Sequence, residues 1–188
     1  MKRRVFRMPS PMKITGRTSS ITNAFVNSII PSIAPSEDEI QEALAILGMT
    51  PESVQCAYCG DPSTEWDHLR PIVRDKKPTG FITEIGNLVP ACGKCNQSKG
   101  NQYWRDWITS DANLSPKSKG VKDIQARIER LKAYEGWRPR APLDFSGIVG
   151  DEYWRQHWNN HDNIVVSMKE SQDLADKLKA LIEEDGAI

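Results

Sequence analysis

No apolar run in this sequence approaches the length needed to cross a bilayer, so no membrane partner is expected. The first residues are basic but lack an apolar core ending in small residues. A secretory leader is therefore not expected, and a cytoplasmic, intracellular setting is. No repeat at solenoid periods runs through the 188 residues, a length for one compact domain or two small ones. Net charge is absent as well, since 25 basic side chains offset 25 acidic ones. Neutrality argues at first against a nucleic-acid partner. Cysteine is scarce, with four in the whole chain, and none stands alone.

The neutral total hides an uneven distribution. Residues 1–20 carry Lys2, Arg3, Arg4, Arg7, Lys13 and Arg17 and no acid. Between Trp66 and Arg105, seven bases face three acids, whereas from Asp151 onward nine acids face four bases. A basic region and an acidic end sum to zero, which restores a polyanion as a partner. The arm from Met1 to Arg17 contains Pro9, Pro11 and Gly16 and is expected to lack regular structure. It reads either as a strap along phosphates or as a solvated terminus.

The cysteines form two Cys-x-x-Cys pairs, Cys56/Cys59 and Cys92/Cys95. Thiolates two residues apart can face one tetrahedral zinc ion, and four sulfurs close its coordination shell. In a reducing compartment metal is favoured over disulfide. The zinc is therefore expected to be structural.

Between the pairs lie Asp67-His68 and Asn87, and Asn96 follows Cys95 directly. Imidazole titrates near neutral pH, so His68 is a candidate general base. Asp67 is a hard oxygen ligand suited to Mg²⁺ or Mn²⁺, and Asn96 can supply a second oxygen. Taken singly, each is an ordinary surface or turn residue. Their joint position inside the cysteine bracket favours chemistry.

The order Cys-x-x-Cys, Asp-His, Asn-Leu-Val, Cys-x-x-Cys-Asn-x-x-Lys-Gly resembles the HNH (ββα-metal) endonucleases across the central quarter to third of the chain. Asp67-His68 matches the first position, Asn87 the middle and Asn96 the third. Asn96 stands where histidine is more familiar, which resembles an H-N-N subset that includes a junction-resolving endonuclease. The resemblance implies metal-dependent hydrolysis of double-stranded DNA, in a restriction or phage-defence role. His68 would be the base, Asn87 would orient it, and Asp67 and Asn96 would hold Mg²⁺ or Mn²⁺. Arg70, Arg74, Lys94 and Lys99 are the candidates for phosphate contact. A homodimer would supply the two sites needed to cut both strands. Two alternatives stay open: a structure-specific, junction-resolving nuclease, and a zinc-ribbon module that binds nucleic acid without cutting.

The expected fold class is α+β: a small ββα finger with structural zinc, flanked by N- and C-terminal helices. Three segments are expected: residues 1–50, 51–110 and 111–188. A helix is predicted over 18–30. Ser36 to Glu39 forms a capping box for a second, with Ile40, Ala43, Leu44 and Leu47 as its stripe and Gly48 as its end. Residues 65–73 read as a strand carrying His68, 74–80 as a loop, 87–91 as a second strand, and Lys94 onward as a helix ended by Gly100. Trp104, Trp107 and Ile108 recur at helical spacing and read as core. A further helix runs to about Gly136, with Arg127, Arg130 and Lys132 off its apolar stripe, able to touch phosphate but read by default as a solvated face. Residues 137–150 read as linker, followed by helices over 151–161 and 164–184. His157 and His161 read as ordinary helix residues.

Overall fold

The computed structural model describes residues 9–185. It is a mixed structure of helices and short strands. Residues 26–145 form one compact unit, and the residues up to Phe25 together with those from Ser146 form another. Lys2, Arg3, Arg4 and Arg7 of the basic arm lie outside the described residues.

The boundary falls within α1 (Thr18–Ser28). In the larger unit, α2 (Glu37–Ile46) starts as the sequence predicts: Ser36 accepts from the Glu39 amide while the Glu39 carboxylate accepts from the Ser36 amide. Gly48, at φ 71°, lets the chain reverse after it. Strand β1 (Glu65–His68) pairs with a later strand. Between them lies a second ribbon, β2 (Val73–Arg74) against β3 (Lys77–Pro78), where the sequence predicts a plain loop. Asp75 and Lys76 both take left-handed backbone angles, which gives the tight turn that matches strand twist without a glycine. Lys76→Gly should therefore raise the melting temperature, relieving roughly 1 kcal/mol of left-handed strain. An unchanged melting temperature would mean that the added chain entropy of glycine offsets the relief.

Strand β4 (Leu88–Ala91) runs antiparallel to β1, with Asp67 opposite Val89 and His68 opposite Leu88. Helix α3 (Gly93–Lys99) follows at once and ends at Gly100, where φ is 51°. The β1–β4 ribbon and α3 make the ββα unit. Helix α4 (Trp104–Ile108) buries Trp104, Trp107 and Ile108 completely, as their spacing predicts. Trp107 packs edge-on against Tyr58 at 5.1 Å and donates from Nε1 to the Ser98 hydroxyl at 2.9 Å, which locks α4 to α3. Helix α5 (Ile124–Trp137) closes the core through Leu131 and Tyr134. The Tyr134 hydroxyl bonds the Leu88 carbonyl at 2.8 Å and so steadies β4.

Three more expectations change in the second half of the chain. Arg127 is buried rather than solvated, because its guanidinium reaches under the first cysteine turn. The 137–150 linker contains a short helix, α6 (Phe145–Val149). The two expected C-terminal helices are a single one, α7 (Asp151–Glu184), since Asp162 and Asn163 between them neither break the backbone nor remove a donor.

In the smaller unit, a turn of 3-10 helix at Ile14–Arg17 occupies part of the arm expected to be irregular. The Ile14 amide donates to the Gln172 side chain of α7 at 2.7 Å. His161 bonds the Thr22 hydroxyl at 2.9 Å and His157 bonds the Phe25 carbonyl at 3.1 Å, so both histidines are spent on packing.

Candidate active site and metal centres

The four cysteine sulfurs lie within 4.8 Å of one another, and Cys59 and Cys92 are 3.7 Å apart. Tetrahedral zinc with bonds of about 2.3 Å has sulfur edges of about 3.8 Å, so the cluster fits that ion. Two pieces of backbone bring the pairs together. The Cys56 turn closes through the Gly60 amide onto the Cys56 carbonyl, and the second pair sits at the start of α3. Hydrogen bonds from Cys56 and then Cys95 draw the Cys59 thiol far down, while the same sharing pushes Cys95 up and Cys56 up to about 11. One thiolate is thus already favoured, and a bound divalent ion would favour all four. Arg127 supports the turn: its Nη1 donates to the Cys56 carbonyl at 3.2 Å, and Nη2 pairs with Asp123 at 3.0 Å. A Cβ at Gly60 would stand 2.5 Å from that guanidinium.

Alternation along β1 sends Asp67 and His68 to opposite faces. His68 Nε2 lies 2.9 Å from the Thr83 hydroxyl. Burial, and then the nearby Lys99 charge, push its pKa down to about 4. The ring is neutral at physiological pH and able to take a proton. Asp67 faces α3 and is 5% exposed. Tyr58 donates to its Oδ2 at 2.5 Å, and Lys99 Nζ stands 3.2 Å from Oδ1 and 3.1 Å from Oδ2. Burial raises the Asp67 carboxyl and lowers the Lys99 amine, against the attraction between them.

Asn87 is 2% exposed, and its side chain clips two segments together. It accepts from the Arg70 amide at 2.8 Å and donates to the Arg70 and Ile82 carbonyls at 3.0 and 3.1 Å. The clip holds the chain just after His68 against the segment that carries Thr83. Asn96 donates from Nδ2 to Glu65 Oε2 at 2.6 Å. Glu65 and Asp67 share a face of β1, and Glu65 is the one that meets Asn96, while the Asp67 oxygens meet Tyr58 and Lys99. Such hard donors suit Mg²⁺ or Mn²⁺. The cation that the structure places on Asp67 is the Lys99 ammonium.

Of the four residues expected on phosphate, Arg74 and Lys94 are exposed. Lys99 is 1% exposed, with its amine committed to Asp67 and to the His68 carbonyl at 2.8 Å. Arg70 is half-buried, donating to the Glu135 carbonyl at 2.9 Å and lying 3.4 Å from the Glu135 carboxylate. Neither is poised for DNA in this arrangement. Sequence reasoning misses Thr83, Tyr58 and Glu65. Glu65 is findable, two residues before Asp67 on a strand of period two. Thr83 carries no local signal.

Residues 56–102 match a family model described as HNH endonuclease. Over 108 residues the chain is 32% identical to the CRISPR-associated endonuclease Cas9 of Corynebacterium diphtheriae, a match that covers 55% of this chain and 9% of that protein. No solved structure matches the chain significantly. No helix among the described residues is long and apolar enough to cross a membrane. Residues 56–102 are an HNH endonuclease domain, and the four cysteines beside its site are arranged to hold zinc.

Proposed function

We propose that this HNH domain hydrolyses phosphodiester bonds of double-stranded DNA, with His68 as general base, in a restriction or phage-defence role. The observation that carries the reading is the His68 ring anchored by Thr83, next in sequence to Asp67 on a strand that pairs with β4 and is tied to α3 through the Lys99 amine on the His68 carbonyl. With Nε2–H donating to Thr83, the Nδ1 lone pair receives the proton of an attacking water. The water oxygen bonds to phosphorus and the bond to the 3′ oxygen breaks. That oxygen takes a proton from solvent, leaving a 3′-hydroxyl and a 5′-phosphate. Asn87 positions the segment on which His68 stands. Asp67 and Asn96, with Glu65 beside them, would hold one Mg²⁺ or Mn²⁺. When bound, such an ion stabilises charge developing on the phosphate and the leaving oxygen.

The similarity to the Cas9 protein over 108 residues supports DNA as the substrate. Cutting both strands calls for two sites, so a homodimer belongs to this reading. The test is incubation of the zinc-loaded chain with Mg²⁺ or Mn²⁺ on plasmid and on a four-way junction, followed by sequencing of the ends. Cleavage of plasmid with 5′-phosphate ends is expected. Cleavage of the junction alone would favour a structure-specific nuclease, and no cleavage of either would favour a binding module.

The basic arm should add phosphate charge. Deleting residues 1–8 removes Lys2, Arg3, Arg4 and Arg7 but spares the Ile14 contact with Gln172. DNA binding should weaken, and the slope of log K against log salt should flatten by up to about 3–4 units. An unchanged slope would show that the arm makes no phosphate contact.

A further inference from the structure

The Lys99 amine is bound as a metal ion would be. Its side chain is fully buried and its partners are all oxygens: both Asp67 carboxylate atoms at 3.1–3.2 Å, the His68 carbonyl at 2.8 Å and the Gly100 carbonyl at 3.4 Å. A carboxylate and two carbonyls form a hard-cation shell of the kind that otherwise attracts Mg²⁺ or Mn²⁺. The carboxylate needs such a partner, because a buried Asp67 with no cation beside it is heavily penalised. Lys99 is the last residue of α3, and Gly100 after it is exposed, so the side chain starts from the end of the helix nearest to solvent.

We infer that Lys99 is an internal counter-cation that holds Asp67 in the absence of a divalent ion, and that ion binding at Asp67 displaces the Lys99 amine towards solvent. The inference rests on Asp67 being an ion ligand, as in the proposed function. A divalent ion and an ammonium repel strongly at one buried carboxylate, so both do not remain on it. Displacement has two consequences. Ion affinity is set partly by how firmly Lys99 holds its place. The released amine stands at the C-terminal end of α3, where it adds a positive group to the surface. The expected role of Lys99 on phosphate is thereby made conditional on the ion.

The test uses zinc-loaded full-length chain without DNA, and Mn²⁺ as the probe. Lys99→Met keeps the apolar stem and removes the charge. It should melt below wild type in the absence of Mn²⁺, bind Mn²⁺ at least about tenfold more tightly by calorimetry, the factor for roughly 1.4 kcal/mol of removed competition, and gain more melting temperature from it. In the wild-type chain, mass spectrometry after acetic anhydride treatment should find Lys99 protected without Mn²⁺ and acetylated with it. This second measurement needs no variant and decides the matter even where Lys99→Met fails to fold. Lys99 remaining protected at saturating Mn²⁺, or Lys99→Met binding Mn²⁺ no more tightly than wild type, overturns the inference. Asp67→Asn tests the ion site apart from the displacement of Lys99. If it leaves wild-type Mn²⁺ affinity intact, Asp67 is not a ligand, and the proposed ion site fails rather than the displacement alone.

Discussion

His68→Ala should cleave DNA on the order of 10²–10⁴-fold more slowly than the wild-type chain, the usual cost of losing a general base. Its zinc content and its affinity for DNA should stay close to wild type. The cysteine cluster contains no atom of His68, and the Asp67, Glu65 and Asn96 oxygens are left in place. The ring is half-buried with one hydrogen bond, to Thr83, so the stability loss should be small beside the rate loss. The measurement is single-turnover cleavage at saturating enzyme across a range of Mg²⁺ concentrations. A base mutant stays slow at every concentration, whereas a ligand mutant such as Asp67→Ala recovers in part as the ion is raised. Wild-type rates from His68→Ala would end the assignment of the base and return the domain to a binding role.

Cys92→Ser should release zinc and unfold the ββα unit. The sulfurs join the turn at Cys56 and Cys59 to the start of α3, and α3 carries both Asn96 and Lys99. Structural zinc in small fingers contributes about 10–16 kcal/mol near neutral pH, more than the whole stability of most domains. Losing one ligand of four forfeits a large part of that. Trp104, Trp107 and Leu131 pack in the same core as Cys56, Cys92 and Cys95, so the loss should spread into α4 and α5. The expected result is a metal-to-protein ratio well below wild type, a lower melting temperature, and loss of cleavage even though His68 is intact. A chelator should reproduce all three in the wild-type chain. Retained zinc and an unchanged melting temperature would show that the cluster does not hold the fold together.

Much of the site is legible in the order of the residues alone. The cysteine pairs are close in sequence, so their spacing alone brings two sulfurs to each side of an ion. Asn96 follows Cys95, so the same ion places it. The capping box at Ser36 and the Trp104, Trp107, Ile108 stripe are also local signals, read within one or two helical turns. The α7 helix shows the limit of such signals: Asp162 and Asn163 are weak helix formers, and continuity along the rest of α7 overrides them.

What the sequence by itself determined was therefore short-range: which residues can hold zinc, which can hold a hard cation, and which can take a proton. The tertiary structure decided which partner each of them meets. Lys99 reads as a phosphate contact until α3 packs on β1 and delivers its amine to Asp67, 32 residues away. Arg127 reads as a solvated helix residue until α5 carries it to the Cys56 carbonyl, 71 residues away. Thr83 has no motif at all, yet it anchors the His68 ring because the Asn87 clip brings its segment alongside β1. A motif specifies chemistry through backbone spacing. A long side chain, though, ends wherever the packed neighbours leave it a partner, and only folding brings those neighbours together.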